Sequence, residues 1–113
     1  MIPHRLKVKK ELIPLVTRKG FFVSNDYITL RFLLVPEQEE ARFTVIVTKK
    51  VSKLAVDRHY NQRKIYNIIQ ELIPHSVPGY STLIFPKKDL RLIEQDLIKE
   101  ETIKILKKTG LIS

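Results

Sequence analysis

The sequence contains no cysteine and only three glycines among its 113 residues. Without cysteine there are no disulfides, no thiolate zinc sites and no cysteine nucleophile, and this composition suits a reducing compartment, so we expect a cytoplasmic protein. Gly20, Gly79 and Gly110 stand far apart, so none belongs to a glycine-rich loop that cradles phosphate. No apolar run approaches the length of a membrane span or a secretory signal, and we expect no membrane attachment.

Clustered catalytic side chains are also missing from the sequence. The three histidines are scattered and none has the HxH or HxxxH spacing of paired metal ligands. The acidic pairs at 39–40 and 100–101 fall in a predicted turn and on a predicted helix surface, where solvated charge is far commoner than acid–base catalysis. We therefore expect no catalytic residue and no metal site made by the protein alone.

Positive charge is what the sequence has in excess. Lysine and arginine number 21 against 12 aspartate and glutamate, which gives a formal net charge of +9 and a pI near 9.9. Residues 1–66 hold 14 of these cations against 6 acids (+8), whereas residues 67–113 hold 7 against 6 (+1). This balance is typical of a nucleic-acid-binding module. The length predicts a single domain over residues 1–113. The charge distribution predicts that its first two thirds build the binding face.

The densest charge lies in the segment TKKVSKLAVDRHYNQRKIY, from Thr48 to Tyr66. Only Asp57 opposes six cations there, which leaves about +5 where a predicted loop meets the start of a predicted helix. Lysine and arginine on exposed helix faces often do no more than keep a domain soluble. The missing compensating acids favour a polyanionic partner instead. The six cations are Lys49, Lys50, Lys53, Arg58, Arg63 and Lys64.

The aromatic residues allow two interpretations. Tyr60 and Tyr66 lie off the apolar stripe of the predicted helix and beside Arg58 and Arg63, where they can stack on an unpaired base. Packing into the core is an equally open alternative for both. For Phe21 and Phe22 the core is favoured.

Hydrophobic periodicity predicts the order α-β-β-α-β-α. A short helix over 11–19 ends at Gly20, with Pro14 as an early helical position. Strands over 27–35 and 42–48 flank a polar connection of hairpin length, so we expect these two to pair antiparallel. A helix starts near Leu54 and ends before Pro74, a strand covers 81–85, and a final helix covers about 93–108.

The apolar stripe of the second predicted helix is its clearest feature. Ile65, Ile68, Ile69 and Leu72 follow the helical spacing i, i+3, i+4, i+7. Continued backwards, the same stripe places Arg58 and Asn61 on the inner face of the first turns. We therefore expect the helix to overhang a wet, charged groove at its N-terminal half.

Several pieces of the sequence resemble the protein subunit of bacterial ribonuclease P. They are RKGFFVSNDYITLRFLL, the FTVIV strand followed by TKKVSKLAVDR, the PGY before the third strand and the closing LKKTGLI. Their order, their spacing and the total length carry the resemblance, which covers nearly the whole chain. Where the family has an Arg-Asn-Arg signature the sequence has Arg58, His59 and Tyr60, so the chain is identified as a divergent member.

The resemblance implies an α+β sandwich with a mostly antiparallel sheet and a left-handed βαβ crossover, as in the second domain of ribosomal protein S5. It implies a non-catalytic protein subunit of an endoribonuclease ribonucleoprotein, a monomer within the holoenzyme. Its partners would be the ribonuclease P RNA and precursor tRNA. The RNA would cleave the 5′ leader with Mg²⁺ that is held mainly by RNA phosphates.

The resemblance and the charge pattern together give the candidate sites. RNA contacts are expected from Lys49, Lys50, Lys53, Arg58, His59, Tyr60, Gln62, Arg63, Lys64 and Tyr66, with a secondary cluster of Arg5, Lys7, Lys9 and Lys10. The leader cleft is expected at Leu12, Val16, Tyr27 and Arg31. The main alternative is a general RNA-binding or ribosome-associated protein without a role in tRNA processing. A membrane-surface binder is weaker, because no predicted helix combines a basic face with exposed large apolar residues.

Overall fold

Four strands form one sheet, with helices on both of its faces, in the computed structural model, which describes residues 2–113. The strands are β1 (Phe21–Ser24), β2 (Ile28–Leu34), β3 (Arg42–Val45) and β4 (Tyr80–Pro86). The helices are α1 (Ile13–Lys19), α2 (Ala55–Leu72) and α3 (Gln95–Lys108), and short 3₁₀ turns cover His4–Leu6, Lys10–Leu12 and Ile73–His75.

The strand order across the sheet is β1-β2-β4-β3. The pairs β1–β2 and β2–β4 are antiparallel, and β3–β4 is parallel, so β3, α2 and β4 form a βαβ unit in a mostly antiparallel sheet. The expected α+β sandwich is confirmed.

The expected pairing of the strands over 27–35 and 42–48 is wrong, because β4 lies between β2 and β3. Four consecutive residues of β4, from Ser81 to Ile84, are buried. A strand that is covered on both faces takes the centre of a sheet, and this long-range burial overrides the local hairpin signal. The strand β1 was not predicted from the sequence, since it is short and Phe21 and Phe22 are both exposed.

Two apolar layers hold the sheet between the helices. The main core lies under α2 and α3 and includes Ile28, Leu30, Phe43, Ile65 and Ile69, all nearly or fully inaccessible to solvent. A smaller core on the other face, under α1, is formed around Val8, Val16 and Leu83.

The N-terminal segment, residues 2–12, wraps around the free edge of β3. Ile2 and Leu6 enter the main core, whereas Val8 enters the smaller core on the opposite face. The Val8 N–H donates to Thr44 Oγ1 over 2.9 Å. This edge of the sheet is therefore covered, which also prevents edge-to-edge pairing with another chain.

Gly20 ends α1 as predicted, but the reason is close approach rather than a left-handed backbone. Its φ is −69°, and its N–H donates to the Val16 carbonyl oxygen over 2.9 Å. A Cβ at this position would lie 2.4 Å from that oxygen and 3.0 Å from the Phe32 carbonyl oxygen. Any side chain would push α1 away from β2.

Candidate nucleic-acid interface

The carboxyl ends of β3 and β4 lie side by side because these neighbours are parallel. Two loops therefore leave the sheet at the same end, next to the first turns of α2. We call residues 46–54 the basic loop and residues 87–94 the β4–α3 loop. The predicted phase of α2 is confirmed there: Asn61 is fully buried and Arg58 is half-buried on the inner side of the helix.

Four of the predicted RNA contacts are exposed cations whose charged side-chain groups make no hydrogen bond or ion pair within residues 2–113. They are Lys49, Lys50 and Lys53 of the basic loop and Arg63 of α2. His59 is also exposed. No acid pairs with these four side chains in the described part of the chain, so their charge is available to an external polyanion.

Arg58 stabilises the conformation of the basic loop. Its Nη1 donates to the backbone carbonyls of Ser52, over 3.1 Å, and Lys53, over 2.7 Å. The Gln62 side chain likewise donates to the Val45 carbonyl, over 3.2 Å, at the end of β3. These two side chains therefore position the lysines of the basic loop relative to α2.

Lys64 is a brace between α2 and the β4–α3 loop. Its ammonium donates to the carbonyl oxygens of Leu90 and Ile93, both over 2.8 Å, and of Arg91, over 3.3 Å. Three acceptors use all three ammonium protons. The sequence groups Lys64 with the free cations, but the structure pairs its ammonium group with protein carbonyl oxygens.

Asn61 anchors the same loop, and sequence reasoning noted only its inward position. Its side-chain nitrogen donates to the Asp57 carbonyl over 2.9 Å and to the Asp89 carboxylate over 3.1 Å, and its oxygen accepts the Leu90 N–H over 2.6 Å. Arg91 bridges Asp57 and Asp89 at 2.9 and 2.7 Å. Hydrogen bonds from Arg91 lower the pKa of Asp89 to about 2. The β4–α3 loop is therefore tied to α2 by hydrogen bonds and ion pairs.

The structure separates the two tyrosines of this segment. Tyr66 is 3% exposed, its hydroxyl accepts the Val45 N–H over 2.9 Å, and burial raises its pKa. It is a core residue and has no free face for a base. Tyr60 is 51% exposed, with the fixed Lys64 ammonium 5.8 Å from its ring centre. Of these two tyrosines, Tyr60 is the one that is open to stacking.

The predicted leader-cleft residues do not all lie together. Leu12, Val16 and Arg31 lie on the α1 face of the sheet, but Val16 is fully buried, so its contribution is to hold α1 in place. Tyr27 packs against the main core, with Lys88 Nζ 5.1 Å from its ring centre.

Phe22 joins Arg31 on the α1 face. The core position that the sequence favoured for Phe21 and Phe22 is wrong, because both side chains are exposed on the short edge strand β1. The Arg31 guanidinium carbon lies 5.0 Å from the Phe22 ring centre, and Arg31 Nη1 donates to the Thr17 carbonyl of α1 over 3.0 Å. Phe22 is 56% exposed. The pair presents an aromatic surface with a fixed cation beside it.

The secondary cluster lies on the N-terminal segment. Arg5 pairs with Glu40, and Lys7 is half-buried with its Nζ 5.3 Å from the ring centre of Tyr66. Lys9 and Lys10 are exposed. This cluster lies toward the start of β3, at the opposite end of the strand from the basic loop.

A profile of the ribonuclease P family matches residues 3–110 of the chain. The chain belongs to the ribonuclease P family. A ribonuclease P protein component of Leuconostoc citreum is 32% identical over 101 residues, which span 87% of this chain and 84% of the relative. One from a Synechococcus species is 29% identical over 113 residues, 97% of this chain and 84% of the relative.

Solved ribonuclease P proteins share the fold. The Staphylococcus aureus protein superposes with a TM-score of 0.83 at 17% identity, over 96% of this chain and 98% of that one. The Thermotoga maritima protein gives 0.78 at 18% identity, over 90% and 96%. A role as the protein subunit that binds RNA and takes part in tRNA processing follows from membership of the family, and the partner is ribonuclease P RNA.

The carboxylates of the interface are committed to protein cations. Asp57 and Asp89 both pair with Arg91, and no three histidine, aspartate or glutamate side chains within residues 2–113 are placed to hold a metal ion. The protein residues therefore do not fit a Mg²⁺ site of their own. Across residues 2–113, no helix has the length and apolar character needed to cross a membrane.

Proposed function

We propose that the protein binds the catalytic RNA of ribonuclease P through the basic loop and α2, and that it assists Mg²⁺-dependent removal of the 5′ leader from precursor tRNA. The RNA carries the chemistry and its phosphates hold the Mg²⁺. The protein acts as one copy in the holoenzyme. The observation that carries this proposal is the set of four exposed cations that have no acid partner within residues 2–113. Three of them lie on the basic loop, which Arg58 ties to α2, and the fourth lies on α2 itself.

The cations lower the repulsion between RNA phosphates that are brought together in the folded complex. Four phosphate contacts predict a plot of log affinity against log salt with a slope of about −3 to −4. The test is the affinity for ribonuclease P RNA between low and moderate salt, with an unrelated structured RNA of equal length as control. A slope near zero rejects the electrostatic interface. Equal affinity for both RNAs favours a general RNA-binding protein.

We propose further that Phe22 and Arg31 contact the single-stranded leader on the α1 face. An exposed ring with a guanidinium fixed beside it is suited to stacking on an unpaired base, which is worth about 1–3 kcal/mol. Leu12, at the end of the 3₁₀ turn before α1, would border this contact.

Adjacent residues on β1 provide a matched control for the leader contact. Phe21 is more exposed than Phe22, at 67%, but it faces the other side of the sheet, 5.6 Å from Phe32 between ring centres. Phe22→Ala is expected to weaken binding of precursor tRNA about tenfold in the holoenzyme without changing binding of mature tRNA. Phe21→Ala is expected to change neither. Equal losses for both substitutions would remove the leader from this face.

A further inference from the structure

Arg42 opens β3 at the end of the sheet opposite the basic loop, and nothing in the sequence pattern singles it out. Its Nη1 donates to the Lys7 carbonyl oxygen over 3.1 Å. Its Nε is buried and has no hydrogen-bond acceptor within residues 2–113. A buried guanidinium nitrogen without an acceptor is uncommon, since leaving such a donor unpaired costs free energy.

A groove lies between Arg42 and the N-terminal segment. Its volume is about 530 Å³, which falls within the range of small-ligand pockets. Its lining includes five cations, Arg5, Lys7, Lys9, Lys10 and Arg42, and a single acid, Glu11, which leaves a formal charge of +4. We call it the Arg42 groove.

The acidic side chains around the Arg42 groove neutralise only a small part of its positive charge. Glu40 neutralises Arg5, and Glu37 and Glu39 line the neighbouring depression on the far side of Arg42. With Arg5 set aside, the groove still carries three lysine charges and Arg42 against Glu11. No acid pairs with Arg42 within residues 2–113.

The walls of the groove are fixed by the fold. Val8 is buried in the smaller core and bonds to Thr44, and Arg42 itself ties β3 to the Lys7 backbone. The flanking side chains of Lys9 and Lys10 are exposed and free to turn toward a ligand. A planar guanidinium on a rigid floor with mobile ammonium groups at the rim is suited to a tetrahedral oxyanion.

We propose that the Arg42 groove is a phosphate-binding site, separate from the α2 interface, with Arg42 as its central donor and Lys9 and Lys10 as its rim. The ligand is a phosphate group, which RNA can supply as a backbone phosphodiester and solution can supply as the free ion. In the holoenzyme the site would hold a second stretch of RNA backbone at the far end of β3.

The Arg42 Nε–H signal in ¹⁵N-correlated NMR spectra is a direct reporter, and its assignment follows from its loss in Arg42→Lys. Inorganic phosphate is titrated against chloride at constant ionic strength. Saturable shifts of the Arg42 Nε–H and of the Val8 amide are expected. The Val8 response is expected to weaken about fivefold in Arg42→Lys, which keeps the charge but loses the fork. Arg18→Lys, an exchange at an exposed α1 position, is the matched control and should leave it unchanged.

Two further arms complete the test. A short oligouridylate without terminal phosphate distinguishes the two sources of the phosphate ligand. If it shifts the Arg42 Nε–H and Val8 amide signals, the ligand is a backbone phosphodiester. If only inorganic phosphate shifts them, the ligand is a free or terminal phosphate. Lys9→Gln leaves the buried anchors intact and should weaken either response two- to threefold. No saturable shift with any probe, or the same response in Arg42→Lys as in wild type, overturns the inference. Because ribonuclease P RNA binding through the basic loop is measured separately, that failure would leave the proposed function standing.

Discussion

Two neighbouring cations of α2, Arg63 and Lys64, are predicted to have opposite roles despite equal charge. Lys64→Met removes an ammonium group that donates to three carbonyls, at 2.8, 3.3 and 2.8 Å. A net hydrogen bond to a charged group is worth roughly 1.5–3 kcal/mol when buried, and these carbonyls are partly wet. Loss of the whole set is therefore expected to lower the free energy of unfolding by about 2 kcal/mol.

Arg63→Met is the matched control, because Arg63 is exposed and bonds to no group within residues 2–113. Its unfolding free energy is expected to change by less than about 0.5 kcal/mol. Its salt slope for ribonuclease P RNA is expected to become shallower by about one unit. Urea denaturation gives the first quantity and binding across a salt series the second. Equal stability losses for the two variants would refute the assignment of Lys64 as a brace.

Three further predictions concern the support of the site. Hydrogen bonds from Arg91 lower the pKa of Asp89 to about 2. The stabilisation from the Asp89 carboxylate is therefore present above the unfolded pKa near 4 and is lost as the pH falls toward 2. In acid titrations followed by circular dichroism, Asp89→Asn should reduce the fall in the free energy of unfolding across that window by about 1 kcal/mol. Tyr66→Phe leaves the Val45 N–H unpaired and should lower the free energy of unfolding by about 1–2 kcal/mol without changing RNA affinity. Tyr60→Leu should leave stability unchanged and weaken RNA binding about fivefold. The reverse pattern would show that Tyr66 is the stacking residue. Gly20→Ala places a Cβ 2.4 Å from the Val16 oxygen and should cost about 2 kcal/mol in urea denaturation, with the exposed Lys19→Ala near zero as control.

The sequence predicted the features that depend on local periodicity. The repeat of Ile65, Ile68, Ile69 and Leu72 set the phase of α2, and Asn61 and Arg58 followed at their confirmed inward positions. The family resemblance, carried by motifs along the whole chain, is also confirmed.

The features that sequence reasoning missed depend on distant partners. The acceptors of Lys64 lie 26 to 29 residues along the chain, so no local pattern distinguishes this lysine from the exposed Arg63 beside it. The strand order likewise depends on the burial of β4 on both faces, which a hairpin rule applied to β2 and β3 does not consider. The inward polar Asn61 was the one sequence signal of a buried network at this end of the sheet.

The most direct test of this account measures the cleavage of precursor tRNA by ribonuclease P RNA at low Mg²⁺. Three reactions are compared: the RNA alone, the RNA with the wild-type protein, and the RNA with a variant protein. In the variant, four cations are changed to glutamine: Lys49, Lys50, Lys53 and Arg63. Wild-type protein is expected to stimulate cleavage at the same phosphodiester that the RNA cleaves alone at high Mg²⁺. The variant should fold normally and should stimulate only when Mg²⁺ is raised to replace the lost charges. Full stimulation by the variant at low Mg²⁺, or cleavage of the substrate by pure protein without the RNA, would contradict this interface and this division of labour.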